Sequence, residues 1–275
     1  MKLHHSPSPA ETNVLSTEQL RAAFLLDDLF QPGQLVAHYT DLDRMIVGGA
    51  MPPSSAPLPL PSYKETGTSF FLERREIGII NIGAAGAIVV GGQRHSMNPL
   101  DCLYIGLGER EVSFENGSSG QAAFYFISTP AHAKHPTAHA TREQNLGAPI
   151  GDPAKANRRR INKYIHPDGI KSCQLVMGFT EFESGSVWNT MPTHTHSRRT
   201  EVYLYFDLGS DMVVHLLGEP QRTRHLVVRD REAALSPSWS IHSGVGTGSY
   251  RFIWAMGGDN QVFADMDAVP MSDLR

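Results

Sequence analysis

From Thr68 to Ser128, and again from Cys173 to Phe263, the chain is a succession of short apolar runs broken by Gly, Asn, Pro and Ser. The first series contains SFFLE, EIGIINI, AIVVGG, CLYIGL, EVSF and AAFYFIS; the second contains CQLVMGFTEF, EVYLYFDL, MVVHLLG, HLVVRD, EAALS and YRFIWAMGG. Serial strands with turn punctuation and no interposed long helix predict antiparallel sandwiches or barrels, not a parallel sheet of alternating strands and helices. The expected fold class is all-β with minor helices. At 275 residues the chain is long enough for two ordinary cores. We place the division near Ile150, giving residues 1–150 and 151–275.

Ahead of the first series, Ser16 or Thr17 caps an expected helix over Glu18 to Phe30, with Leu20, Phe24, Leu25 and Leu29 at helical spacing. The polar, Ala- and Pro-rich segment Thr129 to Arg160 reads as a linker or exposed arm, and Met51 to Ser62 as an extended loop. A formal charge of -4 offers no general attraction for nucleic acid or an anionic membrane. The amino terminus lacks the apolar core of a signal peptide, and no run approaches a bilayer span, so a cytoplasmic protein is expected. Cys102 and Cys173 read as buried thiols, not a disulfide framework.

The residues that point to chemistry lie in GSVWNTMPTHTHSRRTEVYLYFDL, which contains His194-x-His196-x4-Glu201. Strand alternation puts His194 and His196 on one face, so both imidazoles can reach one ion. Glu201 has the opposite parity on a continuous strand. A turn within Ser197 to Thr200 removes that conflict and brings Glu201, Tyr203 and Tyr205 inward on the next strand. A fourth ligand is expected from a distant strand, and His242 in SPSWSIHSGVGTG supplies it. Three imidazoles and a carboxylate suit zinc first, with Mn, Fe, Co or Ni open. Other histidines have plainer readings: His132, His135 and His139 as exposed loop residues near Pro136, His4 and His5 as terminus.

The spacing Gly-x8-His-x-His-x4-Glu followed by Pro-x4-His resembles the two cupin motifs. It departs from them in a longer Gly-to-His gap, in Trp239 where Gly is common, and in lacking Asn after the last His. The strings PTHTHSRRTEVYLYFDL, HLLGEPQRTRHLVVRDREAALSPSWSIHSGVGTGSYRFIWAMGGDNQ and DMDAVPMSDLR resemble one bicupin family, 5-keto-4-deoxyuronate isomerase, over nearly the whole chain. The resemblance implies two cupin-type jelly-roll barrels in tandem and a zinc enzyme of pectin or uronate breakdown, assembled as a homohexamer. Its reaction would convert 5-dehydro-4-deoxy-D-glucuronate to 3-deoxy-D-glycero-2,5-hexodiulosonate. It carries the ligand roles to His194, His196, Glu201 and His242. In the first half, Tyr104 follows Pro99 at the spacing at which His242 follows Pro237, and a metal-free barrel is expected there.

Aldose–ketose interconversion needs a base that moves a proton between adjacent carbons, and Tyr203, Tyr205, His166 or a metal-bound hydroxide are the candidates. Arg160, Lys163 and Arg199 are the preferred partners for a substrate carboxylate, with Arg198, Arg222 and Arg224 also considered; the run Arg158 to Arg160 is otherwise a solvated face. An iron-dependent cupin dioxygenase and a non-enzymatic sugar-binding bicupin are the competing readings. Oxygen uptake separates the first, and the absence of a helix-turn-helix pattern weighs against a DNA-linked sensor.

Overall fold

A computed structural model describes the chain from Met1 to Arg275. Its contacts define two units that interleave along the sequence instead of dividing once near Ile150. The first comprises Met1–His4, Asp28–Asn145 and Tyr164–Val176; the second comprises His5–Asp27, Leu146–Lys163 and Met177–Arg275. The leading helix thus belongs to the second unit. It is tied there by Arg21, which donates to the Val227 carbonyl (2.9 Å), and by Arg224, which donates to the carbonyls of Thr12 and Leu15 (2.7 Å each).

That helix is shorter than its periodicity predicts. It spans Thr17–Phe24, with Ser16 and Gln19 forming a capping box. Leu25 is already extended, and Leu25–Leu26 pairs with Ala234 and Ala233 as the edge of a sheet. Ladder hydrogen bonds and burial of both leucines outweigh the propensity to continue the helix.

In the first unit, a seven-stranded sheet includes Leu35–Thr40, Ile46–Ala50, Phe124–Pro130, Arg75–Asn81 and Cys102–Ile105 as neighbours in that order, and a second sheet has four strands. Alternate residues of both sheets point inward. Ile77, Ile79 and Phe126 meet Ile88, Val90 and Phe114 in one core, with the Phe114 and Phe126 rings stacked at 6.4 Å. Gly48 opposes Phe126 so closely that a Cβ there would lie 2.1 Å from the ring, so no larger residue fits without displacing it.

The second unit repeats the arrangement. Its seven-stranded sheet places Arg159–Ile165, Val176–Phe182, Arg251–Gly258, Arg199–Phe206 and Glu232–Ser236 side by side, and its smaller sheet contains Ser243–Gly246 and Val213–Glu219. The corresponding strands occur in the same order in both units. Each is a cupin-type sandwich whose two sheets remain separate instead of closing into one barrel.

The repeat corrects one expectation. Tyr104 lies in Cys102–Ile105, which takes the place of Glu232–Ser236 in the second unit, whereas His242 immediately precedes Ser243–Gly246, the counterpart of Val112–Asn116. The two Pro-x4 spacings are not structurally equivalent. The polar segment 129–160 is also more ordered than a linker, since its Ala138–Ala140 pairs with Cys102–Ile105 and carries His139 3.3 Å from Asp101. Cys102 is buried, but Cys173 is only half-buried, with its thiol donating to the Ala133 carbonyl at 3.1 Å. No helix is long and apolar enough to cross a membrane.

Candidate metal centre

His194 sits in the two-residue strand His194–Thr195, which pairs with Asp267–Ala268. The chain then turns, closed by the Arg199 N–H donating to the His196 carbonyl at 2.9 Å, and enters Arg199–Phe206. This turn aims Glu201 inward, as the parity argument requires. Glu201 stands opposite Ser236 and Met256, in the middle of the sheet. His242 arrives from the segment leading into Ser243–Gly246, so ligands close and remote in sequence meet.

His194, His196, Glu201 and His242 are the one group whose ligand atoms, all within 4.8 Å of one another, could hold a metal ion. The Nε2 of His194 is 3.1 Å from that of His196 and 3.0 Å from that of His242. Glu201 Oε2 is 3.0 Å from His196 Nε2 and 2.9 Å from His242 Nε2. Ligands about 2.1 Å from a central ion and at right angles to one another are about 3 Å apart, so these spacings fit a shared cation. The donor set is N3O, appropriate for a borderline divalent metal.

The surroundings keep the His194 imidazole neutral. Burial, reinforced by His242, lowers the pKa of His194 to about 3. Burial opposes ionisation of Glu201, but His242 and His196 outweigh it and hold the carboxyl well below its ordinary range. The His196 Nδ1–H donates to the Asp265 carbonyl at 2.8 Å, which leaves Nε2 with its lone pair free toward the group. Arg199, 1% exposed, donates to the same carbonyl (2.7 Å) and to that of Val262 (2.7 Å). Arg198 adds hydrogen bonds to Asp265 (2.6 Å) and Asp267 (2.9 Å). These arginines clamp the segment that carries Phe263 and Met266.

The group opens on a cavity of about 480 Å³. Its walls alternate along the strands: Arg159 and Ile161 on one, Phe252, Trp254 and Met256 on another, Glu201 and Tyr203 on a third. Phe263 and Met266 complete an apolar side.

Residues 59–270 match the model of the KduI/IolB family. The chain belongs to that family. It is 75% identical to the 4-deoxy-L-threo-5-hexosulose-uronate ketol-isomerase of Opitutus terrae, over all of both chains. It is 50% identical to the protein of that name from Halalkalibacterium halodurans, again over all of both chains. A solved IolB-like protein from Salmonella typhimurium superposes with a TM-score of 0.70 at 12% identity, covering 90% of this chain and 96% of that one, which bears on the fold alone.

In this KduI/IolB member, the four residues expected as ligands converge, and of the expected bases only Tyr203 lines the cavity. Tyr205 lies deeper, its hydroxyl 2.7 Å from His215 Nδ1. His166 belongs to the first unit. The expected carboxylate partners are engaged elsewhere. Arg160 has the opposite parity to Arg159 and donates to the Gly147 carbonyl at 2.9 Å. Lys163 lies over the Phe263 ring at 3.9 Å. Arg199 is committed to the clamp, Arg224 to the leading helix, and Arg222 is exposed and outside the lining.

Sequence reasoning also missed Glu76, which is fully buried in the first unit. Its carboxylate accepts from the Tyr104 hydroxyl (2.7 Å), the Thr129 hydroxyl (3.0 Å) and the backbone N–H groups of Cys173 (2.7 Å), Gln174 (2.9 Å) and Leu175 (3.0 Å). One signal was present. Arg74-Arg75-Glu76 opens its strand much as Arg198-Arg199-Thr200-Glu201 opens the equivalent one.

Proposed function

We propose that this chain is a metal-dependent ketol-isomerase acting on 4-deoxy-L-threo-5-hexosulose uronate, the substrate in its relatives' names. His194, His196, Glu201 and His242 hold one divalent ion, with zinc our assignment from the N3O donor set. One observation carries the reading: three imidazole nitrogens approach head to head around one carboxylate oxygen at the wall of a cavity suited to a small ligand. With their Nε2 lone pairs turned inward, three imidazoles and a carboxylate that close repel one another unless a cation lies among them.

Bound there, the ion supplies positive charge beside the carbonyl and hydroxyl oxygens that become negative during ketol isomerisation. The protein does the rest. Burial raises the pKa of Tyr203 well above its ordinary value, so its hydroxyl stays protonated at neutral pH and donates toward a substrate oxygen instead of removing a proton. Phe252, Trp254 and Met256 exclude water from the apolar side. Placement in uronate and pectin breakdown and as a homohexamer rests on the family resemblance.

The test is to incubate purified, metal-loaded protein with the unsaturated-uronate product and follow ketose formation, with bound metal measured in parallel. Ketose formation that stops on chelation and returns with metal supports the reading. Full activity after chelation removes the metal from it, and no ketose from metal-loaded protein removes the isomerase.

A further inference from the structure

We propose that Arg159 is the cavity's receptor for the substrate carboxylate, holding the end of the molecule remote from the ketol. The inference rests on the isomerase reading for the identity of the substrate, and on the structure for the residue.

Arg159 is the sole arginine or lysine among the residues lining the cavity that Glu201, His194 and His196 also border. One of its nitrogens, Nη1, is anchored to the Asn157 carbonyl at 2.8 Å, which fixes the side chain. Its Nε is buried and has no hydrogen-bond partner. No carboxylate of the protein pairs with it, unlike Arg158, which faces Glu183 (3.7 Å), Arg198, which faces Asp265 (2.6 Å), and Arg251, which faces Glu181 (3.4 Å). A half-buried cation with an orphaned donor and no protein anion is incomplete without an anionic ligand.

The substrate's chemistry supplies that ligand. A 4-deoxy-5-hexosulose uronate carries its aldehyde and adjacent hydroxyl at one end of a six-carbon chain, and a 2-oxo acid at the other. Isomerisation exchanges hydrogen between the first two carbons and leaves the acid untouched. Metal and arginine thus divide the molecule: the four-residue group takes the reacting end, and the guanidinium fork takes the carboxylate in bidentate fashion. A neutral hexose, which leaves the arginine unpaired, is rejected by the same residue.

The test uses 2-oxohexanoate, which has the acid end without the ketol, and hexan-2-one as its neutral counterpart. Calorimetry with the metal-loaded protein is expected to show binding of 2-oxohexanoate and none of hexan-2-one. Arg159→Gln should weaken 2-oxohexanoate by about 10- to 100-fold and raise KM for the uronate by a similar factor, with metal content at the wild-type level. Arg159→Lys keeps the charge but not the fork, and should fall between the two; it carries the test if the glutamine variant does not fold. Wild-type-like affinity and KM in both variants, or no binding of 2-oxohexanoate to the wild-type protein, overturn the proposal. If 2-oxohexanoate binds through Arg159 but the wild-type enzyme turns over no uronate, the carboxylate site stands and the isomerase reading falls.

Discussion

Replacing Glu201 by glutamine preserves its volume but removes the one negative charge among the four proposed ligands. Because changes beyond the ligand shell already cost 10–100-fold in metal affinity, Glu201→Gln is expected to lower it by more than about 100-fold; elemental analysis of dialysed protein would show the loss. Tyr203→Phe keeps the ring packed against Phe252 and removes only the hydroxyl. It should lower kcat by about 100-fold, the low end for a positioned proton donor, with metal content intact. A kcat within a few-fold of wild type would reduce Tyr203 to a wall. The ligand residues were legible in the sequence because parity and a required turn are local properties. Arg159 was not: three consecutive arginines differ only in which way the strand turns them, and the frame of that strand is set by its neighbours in the sheet.

The helix Thr17–Phe24 depends on its cap, so Ser16→Ala should cost about 1 kcal/mol, read as a lower denaturation midpoint with an unchanged denaturant slope. Its early end could not be read from periodicity, because Leu25 and Leu29 fit a helical stripe as well as a strand edge. Pairing with Glu232–Ser236, more than 200 residues away along the chain, decides the matter. The clamp between the turn after His196 and the segment around Asp265 offers a sharper test. Arg199→Met retains bulk but releases the Asp265 and Val262 carbonyls and with them the orientation of His196. Metal affinity should fall by about 10- to 100-fold. Unchanged affinity, measured by competition with a chelator, would make Arg199 a packing residue only.

At the scale of the molecule, stability should fall with acid. His215 has a pKa lowered to about 3 by burial, and His38 to about 4, against 6.5 when unfolded. Below pH 6.5 the unfolded chain takes up protons that the native one refuses, so stability declines as pH falls from about 6.5 toward 3. Melting temperature against pH reads this directly, and His215→Gln should flatten the slope. The doubled strand order was foreshadowed by two strand-rich series, but the interleaving of the units was not, since it depends on which segments bond to which sheet. Within that repeat, Glu76 and Glu201 stand near the start of equivalent strands. One carboxylate faces convergent imidazoles and the cation we assign to them, and the other accepts from five protein donors. A designer seeking a second metal in the first half could not simply graft histidines beside Glu76, because drawing its oxygens toward an ion would strand Tyr104, Thr129 and three backbone amides without acceptors.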